Sequence, residues 1–352
     1  MSRNTTISTK IRDYYSSMNP IVVMPDFFLD RIIRLTSKEE FFNVLAEKAR
    51  FGGGSIRDIP TKDIKGGNAV NIAYSLARLG ANVALFTVGD EIASAVLHQT
   101  FLEFRNNVDL FIVPGNHGRT TSLEFLSQED IKFNLMVSDV GDNADFGPEK
   151  VNSEEHLKRL GNADATIVAN WGSNLKGTQL AEYVFENSPK ALHFIDPADV
   201  ESRREDFQKC LESISEITDV LSINENECNS LGKAIGLGTL IPEHYDPEIV
   251  KGAAKTIADN VRISTDLHTR KGSAWSNGKV AEFVHSIRVE AKTLTGAGDV
   301  WDAADVIGYM SGLDAKERLI FSNASVSLYV RNSSALPPRL DDVFDMLERI
   351  GA

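Results

Sequence analysis

The feature that most constrains this chain is an alternation of short apolar runs with helix-period segments, maintained over most of its length. Residues 20–24, Pro-Ile-Val-Val-Met, make an apolar run of strand length. Between 68 and 79 the apolar side chains fall at Ala69, Ile72, Ala73, Leu76 and Leu79, one stripe of a helix, and Gly80 supplies its stop. Residues 82–88 read as a strand and 91–103 as a helix. The pattern returns with strands at 165–169, 192–195 and 219–223 and helices at 177–187 and 225–231, the second of these strands ending at Asp196-Pro197. Parallel strands need a crossover, a helix supplies it, and the helices then cover the faces of the sheet. The expected fold class is α/β with a mostly parallel central sheet.

Two stretches break the alternation. Residues 30–65 carry Gly52-Gly53-Gly54 and polar turns. Residues 111–137 hold strand-like segments at 121–126 and 132–137 around a polar turn at 127–130, which could pair as a small antiparallel element standing off the main sheet. There is no internal repeat, heptad pattern or low-complexity tail.

At 352 residues the chain can bury one large core. Its 37 basic and 50 acidic residues leave a formal charge of −13, which repels phosphate backbones and anionic lipid. Nucleic acid and membrane surfaces are therefore excluded as expected partners, and an anionic substrate would need local basic groups. Cys210 and Cys228 have no metal-ligand spacing and read as incidental thiols of a reducing compartment. No apolar run reaches the length of a membrane span, and the polar residues 1–10 lack the apolar stretch of a secretory signal. The expected location is cytoplasmic.

The segment with the most chemical content is Thr295-Gly296-Ala297-Gly298-Asp299, followed by a helical pattern from 300 to 310. Small residues entering a helix aim backbone N–H groups at one point, where the helix dipole adds positive potential. That is an anion cradle, suited to charge on phosphoryl oxygens, and Asp299 at its mouth could accept the proton of an attacking hydroxyl. The competing reading is a common glycine turn with Asp as a helix-start residue. Gly66-Gly67-Asn68-Ala69-Val70-Asn71 opens the first amphipathic helix: its glycines allow close backbone approach, and Asn71 can donate to and accept from hydroxyls. Asn224 and Glu227, three apart after a strand, share a helix face and could meet phosphate or magnesium-bound water, or simply cap a helix.

Taken in order, these motifs resemble those of the ribokinase (pfkB) family of carbohydrate kinases over most of the chain. Residues 293–299 resemble the family's Asp-Thr-x-Gly-Ala-Gly-Asp signature. The resemblance makes Asp299 the catalytic aspartate and Gly296, Ala297 and Gly298 the anion-hole donors. Gly66, Gly67 and Asn71 match its Gly-Gly-x-x-x-Asn substrate motif, and Asp30 falls where the family carries a sugar-binding aspartate. Asn224 and Glu227 match its Asn-x-x-Glu motif, associated with phosphate and, through water, with Mg²⁺. Residues 322–324, with Asn323 central, resemble the segment lining the adenine site, and Thr295 belongs to the nucleotide side of the signature. The resemblance implies a single ribokinase-like domain over 1–352, a three-layer α/β sandwich whose strand lid comes from about 30–65 and 111–137. It also implies ATP and Mg²⁺ as cofactors, a sugar or nucleoside as partner, and an optional homodimer through the lid.

Departures from the family pattern fall in two of the motifs. Thr293 stands where the family has an aspartate that helps to hold a monovalent cation, which puts potassium activation in question. The nucleotide loop, Thr-x-Gly-x-x-Gly in the family, is represented by residues 267–272, with Thr269 in place of its first glycine and Gly272 retained. Arg270 and Lys271 could reach phosphates or form a solvated turn. Asn170, following a strand at the sheet edge where open α/β folds place ligands, is a candidate substrate contact. Arg119, in the lid region, could meet an acidic group of the substrate or be a surface charge, and His268 reads as structural. The expected activity is transfer of the γ-phosphoryl group of ATP to a hydroxyl of a sugar, sugar acid or nucleoside. An ADP-dependent sugar kinase and a catalytically silent sugar or nucleotide sensor are the alternatives.

Overall fold

The computed structural model describes residues 6–35, 37–125 and 133–352. The expected turn at 127–130, the adjoining residues 126 and 132, and residues 1–5 of the polar N-terminus lie outside them. Helix α1 (Ile7–Tyr15) leads into β1 (Ile21–Met24), and the chain then departs through β2 (Phe28–Leu35), α2 (Lys38–Arg50) and β3 (Thr61–Gly66). It returns in α3 (Asn68–Arg78), β4 (Val83–Gly89), α4 (Glu91–Thr100) and β5 (Val108–Pro114), and departs again through β6 (Gly118–Phe125) and β7 (Phe133–Asp139). The alternation resumes with α5 (Glu154–Gly161), β8 (Ala165–Ala169), α6 (Gly177–Glu186), β9 (Leu192–Asp196), α7 (Arg204–Ile214), β10 (Val220–Asn224) and α8 (Glu225–Ala234). Then come α9 (Pro247–Val261), β11 (Ser264–Thr269), β12 (Gly272–Ser276), β13 (Ala281–His285), α10 (Ala297–Met310), α11 (Ala315–Val330) and α12 (Leu340–Ile350).

The main sheet has nine strands in the order β13-β12-β11-β10-β9-β8-β1-β4-β5. Every neighbouring pair is parallel except β11–β12 and β12–β13. Strands covered on both faces read as continuous apolar runs, and β1, β4 and β8 are buried at every position. The pleat sends alternate residues to opposite faces. Ile21 and Val23 of β1 join a core with α1, α3, α10, α11 and α12, while Val22 and Met24 join one with α6, α7, α8 and α9. The α/β class expected from the sequence is the observed one.

The second sheet has four strands, β3-β2-β6-β7, with β2 parallel to β6 and the flanking pairs antiparallel. Its boundaries differ from those expected. Residues 108–114 pair with β4 as the edge of the main sheet, and Phe111 stacks on Phe86 there at 4.4 Å, so the second excursion begins only after Pro114. The stretch 30–65 is not a set of turns: it holds most of β2, all of β3 except its last residue, and a helix of 13 residues. Ser37 caps α2 by accepting from the Glu40 N–H; Phe41 meets Phe125 of β6 edge-on at 5.6 Å, and Phe42 stacks on it at 6.2 Å. No α2 residue is fully buried, so its apolar stripe is too weak to stand out in the sequence.

A buried ion cluster fastens α10 beneath the site. Arg318 of α11 lies between Asp305 of α10 and Asp266 of β11, with its guanidinium 3.4 Å from the Tyr309 ring centroid. Burial of this kind fixes geometry more than it adds stability.

Candidate active site

Gly296 takes φ +82°, the left-handed turn that lets the chain enter α10 without a side chain in the way. A Cβ there would lie 2.8 Å from the Tyr329 hydroxyl, which donates to the Thr295 carbonyl at 2.6 Å. Ala297, expected among the anion-hole donors, donates its N–H back to Leu294 O at 3.1 Å. The N–H groups of Gly298 and Asp299 have no hydrogen-bond partner among the described residues and sit at the positive end of a 14-residue helix. A Cβ on Gly298 would meet the His268 ring at 3.3 Å. His268 is a packing partner: burial pushes its pKa down to about 4, so it is neutral.

Asp299 is 5% exposed and held on both oxygens. Asn68 Nδ2 donates to Oδ1 at 3.0 Å and Asn71 Nδ2 to Oδ2 at 2.9 Å. Burial first, then the charge of Asp196, raises its pKa to about 8, against the opposing pull of the Asn71 hydrogen bond and Lys65. Lys65, the next-to-last residue of β3, donates from Nζ to Asn71 Oδ1 at 2.7 Å. Burial lowers its pKa to about 8, while Asp299 and Asp30 act the other way.

The helix start that presents these amides is pinned by Asp26, directly after β1. Its Oδ2 accepts from the Asn68 N–H and from Asn170 Nδ2, both at 2.9 Å, and its Oδ1 from the Ala69 N–H at 2.9 Å. Asn170, at φ +51° after β8, thus faces the cluster with its amide donor already engaged. Gly67 takes φ +97°, and a Cβ on it would come within 2.7 Å of Asp26 O. Asp30 lies within β2, with its carboxylate over Gly66, where a Cβ would sit 2.0 Å from Oδ2. Burial raises its pKa to about 6.

Asn224 and Glu227 form a capping box on α8, with Glu227 Oε2 accepting the Asn224 N–H at 2.8 Å. Glu227 is buried rather than solvated: burial, then Asp196, raises its pKa well above the ordinary value. Among the described residues no group of three acidic, histidine or cysteine side chains is arranged to hold a metal directly. Thr269 closes the β11–β12 turn by donating its hydroxyl to Gly272 O at 2.8 Å, and Lys271 lies over the Tyr245 ring at 4.5 Å. A Cβ on Gly272, at φ +153°, would be 2.3 Å from Val284 O.

Asn323 is a brace between elements. Its Oδ1 accepts from Ser273 Oγ at 2.9 Å and Trp301 Nε1 at 3.0 Å, and its Nδ2 donates to Val284 O and His285 O. Those four bonds occupy the hydrogen-bonding capacity of its side chain.

The structure therefore joins Asp299, Asn71, Gly66, Gly67, Asp30 and Asn170 around one cluster, whereas the side chains of Thr269 and Asn323 serve the hairpin and its packing. Sequence reasoning missed Asp26, Lys65 and Asn68 as members. Asn68 occupies a free position of its motif, Lys65 precedes it, and Asp26 acts on a helix that begins 42 residues later. Two cavities lie outside this cluster. One of 370 Å³ is lined by Arg78, Arg331 and Arg349; another of 660 Å³ touches the cluster only at Lys65.

No helix among the described residues is long and apolar enough to cross a membrane. A search of curated proteins returned no match. Among solved structures the fold is similar to Arabidopsis thaliana ribokinase complexed with ribose and ATP, at 19% identity and TM-score 0.71, covering 94% of this chain and 99% of that one. It is also similar to Sinorhizobium meliloti adenosine kinase, at 17% identity and TM-score 0.67, covering 96% and 100%. An Escherichia coli protein of ribokinase II type, solved with ATP and Mg²⁺, matches at 16% identity and TM-score 0.64, covering 94% and 100%. The sequence model for pfkB family carbohydrate kinases matches residues 44–342, so the chain belongs to that family.

Proposed function

We propose that this chain transfers the γ-phosphoryl group of ATP to a hydroxyl of a small sugar, sugar acid or nucleoside, with Asp299 as general base. The observation that carries the reading is the juxtaposition of the Asp299 carboxylate, fixed by Asn68 and Asn71, with the unpartnered N–H groups of Gly298 and Asp299.

The residues present fit a nucleotide phosphate, since the helix start offers unpartnered N–H donors among the described residues. Mg²⁺-ATP supplies the electrophilic phosphoryl group and neutralises charge on its oxygens, as in other phosphoryl transfers. Glu227 would face Mg²⁺ through water. Asp30, Gly67 and Asn170 would orient acceptor hydroxyls, and Asp299 would take the proton of the attacking one. A base whose pKa lies near working pH is suited to this, because it is partly ionised and still basic. The small sheet would act as a lid that keeps competing water out.

A monovalent cation does not fit at Thr293. Its hydroxyl donates to Asn332 O at 3.2 Å, and no carboxylate is supplied at that position. The turn closed by Thr269 is the feature that keeps ADP open as a donor, so both nucleotides belong in the test.

A thermal-shift screen of sugars, sugar acids and nucleosides, with Mg²⁺ and a non-hydrolysable ATP analogue, identifies the acceptor through mass action. Turnover of the hit is then measured with ATP and with ADP. Phosphorylation with ATP supports the reading. A stabilising acceptor that neither nucleotide phosphorylates would overturn it.

A further inference from the structure

Lys65 is a partly buried member of the cluster that has no part in the reading above. It leaves β3 at the base of the small sheet, and its ammonium stops on Asn71 Oδ1 at 2.7 Å, 4.7 Å from the Tyr74 ring centroid. An Asn side chain presents an acceptor on one side and donors on the other. Because Lys65 has only donors to offer, Asn71 must turn its oxygen to Lys65 and its NH₂ to Asp299, where the 2.9 Å contact is found. With the amide flipped, two pairs would fail together: NH₂ against ammonium, and oxygen against carboxylate.

We propose that Lys65 is a positioning residue for phosphoryl transfer, which locks the Asn71 amide so that it donates to Asp299 and holds that carboxylate in place as a proton acceptor. The proposal rests on the kinase reading and adds to it a residue that acts through another. The ammonium also supplies a positive charge in a set that is otherwise acidic or neutral. Asp299 is faced by Asp26 from the end of β1, Asp196 from β9, Asp302 from its own helix and Lys65 from β3, with Tyr329 of α11 nearby. His268 of β11, beside Gly298, is neutral. Lys65 itself is faced by Asp30 and Asp299. Every ionic neighbour except Lys65 makes ionisation of Asp299 harder; Lys65 makes it easier.

The test compares wild type with Lys65→Met, Lys65→Arg and the milder Lys65→Gln, each checked for folding by circular dichroism. The titration of Asp299 is followed in ¹³C-aspartate-labelled protein, its resonance assigned by its loss in Asp299→Asn. The pH profile of kcat, and KM for ATP with the best acceptor of the screen, are measured beside it. In Lys65→Met and Lys65→Gln the Asp299 midpoint is expected to move up by about one pH unit or more. The rising limb of kcat should follow, KM for ATP should stay unchanged, and Lys65→Arg should restore most of the shift.

A folded Lys65→Met or Lys65→Gln protein with an unmoved midpoint overturns the proposal. So does a moved midpoint with an unchanged kcat profile, since Lys65 would then tune a group that transfer does not use. If the midpoint moves but the wild type phosphorylates no acceptor, the kinase reading has failed and the positioning role falls with it. That result is distinguishable because the titration arm needs no acceptor.

Discussion

Replacing Asp299 by asparagine should raise stability while it abolishes turnover, and the gain should grow with pH. In the fold Asp299 has a pKa of about 8, against 3.8 for the ordinary side chain. Between those values the folded chain holds a proton that the unfolded chain has released, so wild-type stability falls as pH rises through the window. One proton corresponds to about 1.4 kcal/mol per pH unit. Asparagine, like the protonated acid, carries no charge, so the two proteins should be closest in stability near pH 4, where the folded wild type keeps its proton. By pH 7 the variant should be ahead by a few kcal/mol. Urea denaturation of both proteins at pH 5, 6, 7 and 8 reads the difference directly. A difference that stays flat across the window, or one that increasingly favours the wild type, would refute the reasoning, because Asp299 would then be ionised in the fold at an ordinary pKa.

Gly66→Ala places a Cβ 2.0 Å from Asp30 Oδ2 and must displace that carboxylate. KM for the acceptor is expected to rise roughly tenfold, the scale of one charged hydrogen bond, with KM for ATP unchanged in steady-state assays. Since Thr293 donates to Asn332 O and brings no carboxylate, turnover in potassium chloride should equal that in tetramethylammonium chloride at matched ionic strength. A clear dependence on potassium would show that a cation binds there regardless.

The main sheet was legible because β1, β4 and β8 are buried on both faces, which turns them into uninterrupted apolar runs. The small sheet was less so. Thr61–Gly66 is half exposed and largely polar, and Lys38–Arg50 buries no residue fully, so neither leaves a periodic signal. Residues 111–114 looked like part of the second excursion because an apolar run does not say which strand it will pair with; the Phe86–Phe111 stack decides that only in three dimensions. At the site, the positions that draw on backbone geometry were readable: Gly296 and Gly67, whose positive φ values allow turns into α10 and α3. What the sequence withheld was the partner of each polar group. The side-chain partners of Asn323 all lie on neighbouring elements, and Asp26 and Lys65 act on residues that the fold alone brings to them.

The central claim, that the Asp299 carboxylate and the α10 helix start work on one acceptor hydroxyl and one phosphoryl group, is tested most directly by following a labelled γ-phosphoryl group. Wild type and Asp299→Asn, both saturated with γ-labelled ATP, Mg²⁺ and the acceptor found by screening, are compared by counting label in the sugar or nucleoside product. The account predicts label in the wild-type product and a loss of at least roughly 10²-fold in the variant, with binding of the ATP analogue preserved. Equal labelling by the two proteins would contradict it.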